Sequence, residues 1–307
     1  MKPRIGIIGT GTMGQPMAAN LSRAGYAVTA YDIREEPLRA LARLGVKPAS
    51  SPAGVGAAAD VLIIMVMDAP QVRQVLLGPG GAVGSLSRGA IVLCMSTIGP
   101  DAIRGLEAPL AGAGVTLLDA PVTGGVEGAD AGKLTIMVAG PQAAAQTVRP
   151  ILDVLGGKIV SVGPRIGQGQ EVKMLVQHLF FVGLAAATET LILGMESGVD
   201  LRAAWEVLRS GAGSSWIVEH RVPPVLDGRA RFGDARPVLQ KDLVGIVLEA
   251  GRALGLPLEM AAAAARVLQR IPEDDSAPAR LFREMLGVPN RPSSSGHEGD
   301  ARLVERD

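Results

Sequence analysis

The sequence is short of the residues that build metal centres and disulfide frameworks. It has one cysteine and three histidines among 307 residues, too few for a disulfide network or a zinc site with several thiolate and imidazole ligands. The single cysteine, Cys94, lies in the apolar run 91–94, and we expect it to be packed in the core. We therefore expect neither a metal site nor disulfide bonds.

Net charge is also missing, because Lys plus Arg and Asp plus Glu both total 30. A neutral chain gives no electrostatic reason to expect nucleic acid or an anionic membrane as a partner. No signal peptide is visible before the first strand-like run, so we expect a cytoplasmic protein.

One apolar stretch, residues 174–195, is long enough to span a bilayer, and membrane association remains an alternative that predicts a detergent-dependent protein. Glu189 lies inside this stretch, and a carboxylate within a membrane span is costly. We interpret the stretch as a helix buried between domains or subunits.

The first half of the chain alternates short apolar runs with helical segments, which is typical of a parallel sheet with crossover helices. With 48% apolar residues the chain has ample material for a core. We predict strands at residues 4–9, 27–31, 61–67, 91–95, 116–118 and 134–139, and helices at 13–24, 37–44 and 141–155.

The character of the chain changes after about Gly163, where strand-like runs stop and long helical patterns begin. We predict an α/β Rossmann-like N-terminal domain over residues 1–163, with a Gly-rich loop at 166–170 marking the boundary. An all-helical domain over 164–290, for substrate binding or dimerisation, follows it. Residues 291–307 are rich in Pro, Ser, Gly and charge, and we expect a disordered tail. Within the second domain we predict helices at 171–197, 201–208, 238–254, 258–269 and 281–286.

The strongest functional motif is the segment Gly9-Thr10-Gly11-Thr12-Met13-Gly14, which matches G-x-G-x-x-G. It follows a predicted strand and begins a predicted helix, which is the context of a dinucleotide-binding loop. The first glycine permits the turn, the second lets the backbone approach the pyrophosphate, and the third lets helix and strand pack closely.

An acidic residue, Asp32, ends the next predicted strand, 18 residues after Gly14, and Ile33 and Arg34 follow it. A carboxylate there binds ribose hydroxyls and repels a 2′-phosphate, which favours NAD. The Arg34 guanidinium could instead pair with the 2′-phosphate of NADP, or be an exposed surface group. We predict NAD or NADP as cofactor, with NAD preferred.

Two later segments bear on the substrate. Thr123-Gly124-Gly125 forms a turn after the sequence Asp119-Ala120-Pro121-Val122, and successive backbone N–H groups in such a turn can hold a carboxylate. Lys173 lies near the start of an apolar helix, where partial burial would lower its pKa toward neutrality. Gln177 is on the same helical face at i+4. Each segment also has an ordinary explanation, as a structural turn or as a solvent-exposed lysine.

In their order and spacing, these segments resemble the β-hydroxyacid dehydrogenase family, which includes 3-hydroxyisobutyrate dehydrogenase and the tartronate semialdehyde and glyoxylate/succinic semialdehyde reductases. The resemblance covers residues 4 to about 286. It rests on the motif at 9–14 and its continuation to Leu21, on Ser96-Thr97-Ile98-Gly99-Pro100, on the 119–125 and 169–173 segments, and on Lys241-Asp242-Leu243.

The resemblance implies that Lys173 is the catalytic acid–base and that Thr123, Gly124 and Gly125 hold the substrate carboxylate. It also implies that Thr97 lies beside the nicotinamide ribose and that Lys241 reaches cofactor and substrate. Val66 and Met67 would line the adenosine side of the cofactor. A homodimer or homotetramer, with the helix 179–195 partly between subunits, is expected.

The sequence departs from the family at Gln177, where asparagine is usual. Its amide either polarises the substrate hydroxyl from a shifted position or is an ordinary polar group on a helix. The expected reaction is hydride transfer between NAD(P) and a small β-hydroxy acid or semialdehyde. An imine reductase and a non-catalytic NAD(P)-binding module are the alternatives, and the presence of Lys173 argues against both.

Overall fold

The computed structural model describes residues 2–228 and 235–270. The helix predicted at 281–286 and the tail predicted at 291–307 lie outside the described residues. Within these described ranges, nine strands form one mixed sheet: β1 Ile5–Ile8, β2 Val28–Tyr31, β3 Lys47–Pro48, β4 Val61–Ile64, β5 Ile91–Cys94, β6 Thr116–Asp119, β7 Val122–Thr123, β8 Leu134–Ala139 and β9 Gly156–Gly163.

The sheet has the strand order of a dinucleotide-binding fold. Strands run β3-β2-β1-β4-β5-β6 in parallel, and the order reverses between β1 and β4. Strand β8 then pairs antiparallel with β6 and β7 and parallel with β9. In such a sheet ligands bind at the carboxyl ends of the strands, next to the point where the order reverses.

Apolar runs form the central strands because both faces of the sheet are covered. In β1, Ile5 and Ile7 face one buried cluster with Met17 of the following helix, whereas Ile8 faces a second cluster. Cys94 belongs to that second cluster and is fully buried, which confirms the expected core packing. Burial raises the pKa of its thiol, so the thiol stays protonated.

Seven helices accompany the sheet: α1 Gly14–Arg23, α2 Glu35–Ala42, α3 Pro52–Ala57, α4 Ala69–Leu77, α5 Pro100–Gly112, α6 Gly125–Asp130 and α7 Gln142–Leu155. Side chains cap two of them, since Ser51 accepts the Gly54 N–H and Asp68 accepts the Gln71 N–H. Such caps satisfy backbone donors that a helix leaves unpaired at its start.

After Gly163 the described chain is helical, as predicted. The helices are α8 Gln168–Glu196, α9 Leu201–Ser210, α10 Trp216–His220, α11 Val222–Leu226, α12 Ala235–Val238, a π-helical segment Leu239–Leu248, α13 Glu249–Ala253 and α14 Glu259–Leu268. The π-helical segment replaces the middle of the helix predicted at 238–254. Segments of this kind are rare and are frequently found at functional sites.

Several boundaries differ from the prediction by one to three residues, and two of them lie at the candidate site. The expected loop at 166–170 is wrong, because α8 already begins at Gln168, and its first turn is held by a buried carboxylate described below. The strand predicted at 61–67 ends at Ile64, because residues after it leave the sheet to face the site.

The described residues form two compact units, one of residues 2–182 with 237–265 and one of 183–228, 235–236 and 266–270. All candidate site residues fall in the first. Within the described chain, α8 alone is long and apolar enough to cross a bilayer, and 28% of its most apolar window is buried.

Candidate active site

The phosphate loop, residues Gly9–Gly14, joins β1 to α1 at the carboxyl edge of the sheet. Gly9 has φ +93°, and a Cβ there would overlap the Met65 carbonyl. A Cβ at Gly14 would overlap the Gly9 carbonyl. These backbone approaches are so close that only glycine fits at both positions. The loop lies at the start of α1, where the positive end of the helix dipole favours an anion, so it fits the pyrophosphate of a dinucleotide.

Asp32 is tied to the phosphate loop and to Arg34. Its carboxylate accepts the Thr10 N–H at 2.7 Å and the Arg34 N–H and Nε–H at 3.0 and 3.1 Å. Burial alone would raise the pKa of Asp32, but the hydrogen bonds from Arg34 and Thr10 outweigh it and lower the pKa. The Asp32 side chain is 6% exposed and that of Arg34 60%. Arg34 is therefore the group of this pair that meets solvent.

The remaining predicted cofactor residues lie at the same edge. Ile33 is 88% exposed beside Asp32, an apolar surface suited to a flat base. Lys241, from the π-helical segment, donates to the Met67 carbonyl at 2.7 Å and to the Thr97 carbonyl at 3.1 Å. Val66 bonds through its backbone to the Ser96 hydroxyl. The loops after β4 and β5 and the Lys241 ammonium are thus joined.

Lys173 lies on α8 and is 7% exposed. Burial lowers the pKa of its ammonium to about 8; the Asp242 carboxylate opposes this shift and Lys241 adds to it. In the described part of the chain its ammonium has no hydrogen-bond partner. A buried amine with a pKa near neutrality is suited to both giving and taking a proton.

Asp242 is a site residue that the sequence interpretation did not assign, although it stands in the segment 241–243. It is 2% exposed, and one carboxylate oxygen accepts the Gln177 amide N–H. The other, Oδ1, lies 3.0 Å from the Lys241 ammonium, an ion-pair distance, but accepts no hydrogen bond from the described residues. This oxygen can accept a further donor.

Gln177, the departure from the family pattern, therefore donates its amide N–H to the Asp242 carboxylate. The longer side chain of glutamine carries the amide to that carboxylate. Gln177 lies one helical turn after Lys173 on α8, and the charges of Asp242 and Lys241 act on the pKa of Lys173. The structure therefore brings Lys173, Gln177, Lys241 and Asp242 together.

The predicted carboxylate turn is built as expected but stands apart in the described contacts. Thr123 ends β7, and Gly124 and Gly125 have φ +127° and +67°. Among the described residues, no hydrogen bond joins this turn to Lys173. The turn bonds instead to β8 and α6.

Comparison with known proteins agrees with this geometry. Residues 4–163 match the family model described as the NAD binding domain of 6-phosphogluconate dehydrogenase. Residues 167–282 match the family model described as NAD-binding of NADP-dependent 3-hydroxyisobutyrate dehydrogenase. The chain belongs to the β-hydroxyacid dehydrogenase family.

Several relatives of this chain are named as dehydrogenases of hydroxy acids. An L-threonate dehydrogenase of Cupriavidus necator is 38% identical over 92% of this chain and 97% of its own. A 2-(hydroxymethyl)glutarate dehydrogenase of Eubacterium barkeri is 33% identical over 93% and 96%. The crystal structure of 3-hydroxyisobutyrate dehydrogenase from Salmonella typhimurium superposes with TM-score 0.82 at 32% identity, over 92% of this chain and all of that one.

The chain is thus an NAD(P)-dependent hydroxyacid dehydrogenase, with a Rossmann-like domain followed by helices. An imine reductase from Myxococcus stipitatus also matches, with TM-score 0.62 and 20% identity over 92% of this chain and 99% of that one. At that identity the likeness shows a shared fold. The hydroxyacid dehydrogenases are closer in sequence over the same length.

Proposed function

We propose that Lys173 is the general acid–base of this dehydrogenase and that it acts on the β-hydroxyl of a small hydroxy acid. The observation that carries the proposal is the burial of its ammonium, with a pKa of about 8, beside the Asp242 carboxylate. A lysine without a function would gain more from reaching solvent, because burying an ammonium is costly.

In the oxidative direction the neutral Lys173 amine takes the proton of the substrate hydroxyl, and in reduction the ammonium returns it. When bound, the nicotinamide supplies the chemistry of hydride transfer at its C4. Proton transfer by a positioned group contributes about 10² to 10⁴ in rate. Asp242, held by Gln177, compensates the positive charge that Lys173 carries in its protonated form.

The substrate carboxylate is assigned to Thr123, Gly124 and Gly125. The threonine hydroxyl and the backbone of two consecutive glycines with positive φ give an anion-binding turn. Four-carbon L-threonate, which carries hydroxyls along its whole chain, is the first substrate to test, followed by semialdehydes and other β-hydroxy acids.

For the cofactor we assign the pyrophosphate to the phosphate loop and the adenosine side to Asp32, Ile33, Arg34, Val66 and Met67. Thr97 and Lys241 are assigned to the nicotinamide side. NAD remains the preferred cofactor, because a carboxylate stands at the end of β2. Arg34, exposed beside that carboxylate, supports use of NADP as well.

We also propose a cytoplasmic homodimer or homotetramer in which the exposed face of α8 packs against another copy. Leu179 is 71% exposed and Leu193 69%, and burying such side chains is favourable. Glu189 lies in the same helix, and its carboxylate would be costly to bury in lipid. The domain division at 163/164 is part of this proposal.

A substrate screen combined with one variant tests the assignment of Lys173. Reduction of NAD or NADP is followed at 340 nm with L-threonate and with hydroxy acids and semialdehydes of three to six carbons. For Lys173→Ala we expect turnover to fall by about 10² or more while NAD binding, measured by tryptophan fluorescence, stays within threefold. Lys158→Ala, at an exposed lysine on β9, is the control.

The wild-type oxidation rate should rise with pH through about 8, as the Lys173 amine is deprotonated, and this limb should be absent in Lys173→Ala. Turnover by Lys173→Ala within a few-fold of wild type would remove the lysine from the mechanism. Binding of NADH without oxidation of any hydroxy acid would instead support the non-catalytic module.

A further inference from the structure

The Gln170 side chain uses every hydrogen-bonding position that an amide has. Its Oε1 accepts the Ile98 N–H at 2.9 Å and the Gly99 N–H at 3.1 Å. Its Nε2 donates to the Ser96 carbonyl and to Asp119 Oδ1, both at 3.0 Å. With two acceptor and two donor positions filled, and 1% of the residue exposed, the amide is fully satisfied inside the protein.

Asp119 completes this arrangement from the end of β6. Its Oδ2 accepts the Gly167 N–H at 3.0 Å and the Gln170 N–H at 3.1 Å, at the start of α8. A Cβ at Gly169 would lie 2.8 Å from the Asp119 carboxyl carbon, so the helix start lies directly on this group. Burial raises the pKa of Asp119, against the opposing effect of the N–H donors. A buried acid from a distant strand therefore caps α8.

These groups, which we call the Ser96–Asp119–Gln170 cluster, join two parts of the candidate site. On one side is the loop 96–99, whose Thr97 carbonyl also accepts from Lys241. On the other side is the first turn of α8, with Lys173 three residues after Gln170. The Ser96 hydroxyl extends the cluster to the Val66 backbone at the end of β4.

We propose that Gln170 is a positioning residue that sets Lys173 against the loop 96–99, with Asp119 as its anchor on the sheet. The inference rests on the proposed roles of Lys173 and Thr97. A cap from within α8 would satisfy the helix start equally well, but it would not fix the helix to that loop. Proton transfer depends on placement within fractions of an ångström, and a fully satisfied buried network is rigid enough to provide it.

The test compares Gln170→Met with Gln168→Met. Methionine has nearly the length of glutamine but no amide. Among the described residues, the Gln168 side chain accepts a hydrogen bond only from the nearby Arg165 N–H. For Gln170→Met we expect kcat to fall by about tenfold to a hundredfold, with the dissociation constant for NADH changed less than threefold. Gln168→Met should retain wild-type kcat.

A second readout does not require turnover. Competitive acetylation with acetic anhydride over a pH series, followed by mass spectrometry of the Lys173 peptide, measures the pKa of this lysine. In wild type we expect about 8, and in Gln170→Met a rise of the pKa, since a displaced α8 start admits water to the amine. A merely stabilising role would lower the unfolding temperature and leave this pKa and the kcat unchanged.

Exchanging the acid of Asp119 with the amide of Gln170 tests the same contact if Gln170→Met folds poorly. Gln170→Glu places two buried carboxylates next to each other. Gln170→Glu combined with Asp119→Asn restores one donor and one acceptor across the pair, and this double variant has the same net charge as wild type. We expect kcat of the double variant to be at least tenfold higher than kcat of Gln170→Glu, or its Lys173 pKa to be closer to the wild-type value. No recovery by either measure overturns the pairing.

Failure of the inference and failure of the proposed function give different results. If wild type oxidises no hydroxy acid, the proposed function fails, and the acetylation series still decides whether Gln170 positions Lys173. If wild type is active and folded Gln170→Met keeps both its kcat and its Lys173 pKa, the positioning role is wrong while the proposed function stands.

Discussion

Lys173, Lys241 and Asp242 bring two positive groups and one negative group into a small buried region of the site. Burial of Lys173 dominates, so its pKa falls despite the carboxylate, and Lys241 lowers it further. Lys241 is held by two carbonyls as well as by the acid. Burial therefore brings the Lys173 pKa down to about 8, and the Asp242 carboxylate limits how far this pKa falls.

Substitution of Gln177 tests whether its hydrogen bond holds the Asp242 carboxylate in place. In Gln177→Asn the shorter side chain cannot reach the carboxylate, and we expect kcat to fall about tenfold, the value of one lost hydrogen bond to a charged group. KM for the hydroxy acid should change less than threefold, because the Gln177 amide N–H faces Asp242. Steady-state kinetics with wild type, Gln177→Asn and the exposed control Gln240→Asn measure both constants.

A different change in kcat and KM would instead support direct contact between Gln177 and the substrate. That role predicts that KM rises about tenfold in Gln177→Asn while kcat holds, as expected when binding is lost equally from the ground state and the transition state.

At the scale of elements, the site consists of the segments that leave the carboxyl ends of β1, β2, β4 and β5, with Lys173 and Asp242 added from the helices. The sequence predicted these strands because each is a short apolar run or lies next to one. It missed β3 and β7, which have two residues each, since two residues show no period. It also missed the eight-residue strand β9 and the helices α3, α4 and α6. It missed α5 as well, where Gly105 and Pro109 interrupt the helical pattern.

The contacts that complete the site lie beyond the reach of local patterns. Gln170 bonds to Ser96, 74 residues away, and Gln177 to Asp242, 65 residues away. All four residues stand in or beside segments that the family resemblance marked, so that resemblance identified the segments and not the pairings. The π-helical turn carrying Lys241 and Asp242 likewise has no signature in the apolar spacing of an ordinary helix.

In the βαβ unit of β1, α1 and β2, the position of Arg34 leads to a prediction about the use of NADP. This guanidinium is exposed, and its Nη2 lies 3.3 Å from the position a Cβ would take on Gly11, beside the phosphate loop. For Arg34→Ala we expect kcat/KM for NADP to fall at least tenfold, because a charge-assisted bond to the 2′-phosphate is lost. The value for NAD should change less than threefold.

Arg39→Ala is the matched control, since Arg39 is an exposed arginine on α2 that pairs with Glu35. An equal loss for both cofactors in Arg34→Ala would mean that the arginine supports Asp32 and makes no contact with a 2′-phosphate.

At the scale of the whole molecule, the buried lysine that we propose as the acid–base reduces the stability of the fold. The pKa of Lys173 is about 8 in the folded chain against 10.5 for an unperturbed lysine. Below about pH 8 both the folded and unfolded chains are protonated and the full penalty is present, roughly 3 kcal/mol. Between pH 8 and 10.5 the unfolded chain binds more protons, so this contribution to stability improves as pH rises.

Lys173→Met should therefore unfold at a higher temperature than wild type at pH 7, by several degrees, because methionine fills similar space without a charge. The advantage should shrink steadily as pH is raised from 8 towards 10. Differential scanning calorimetry of both proteins across that range measures the difference, with Lys158→Met as an exposed control whose shift stays constant. A Lys173→Met advantage that is absent at pH 7, or that does not change with pH, would show that the Lys173 ammonium is fully compensated in the folded chain, contrary to the lowered pKa on which its catalytic assignment depends.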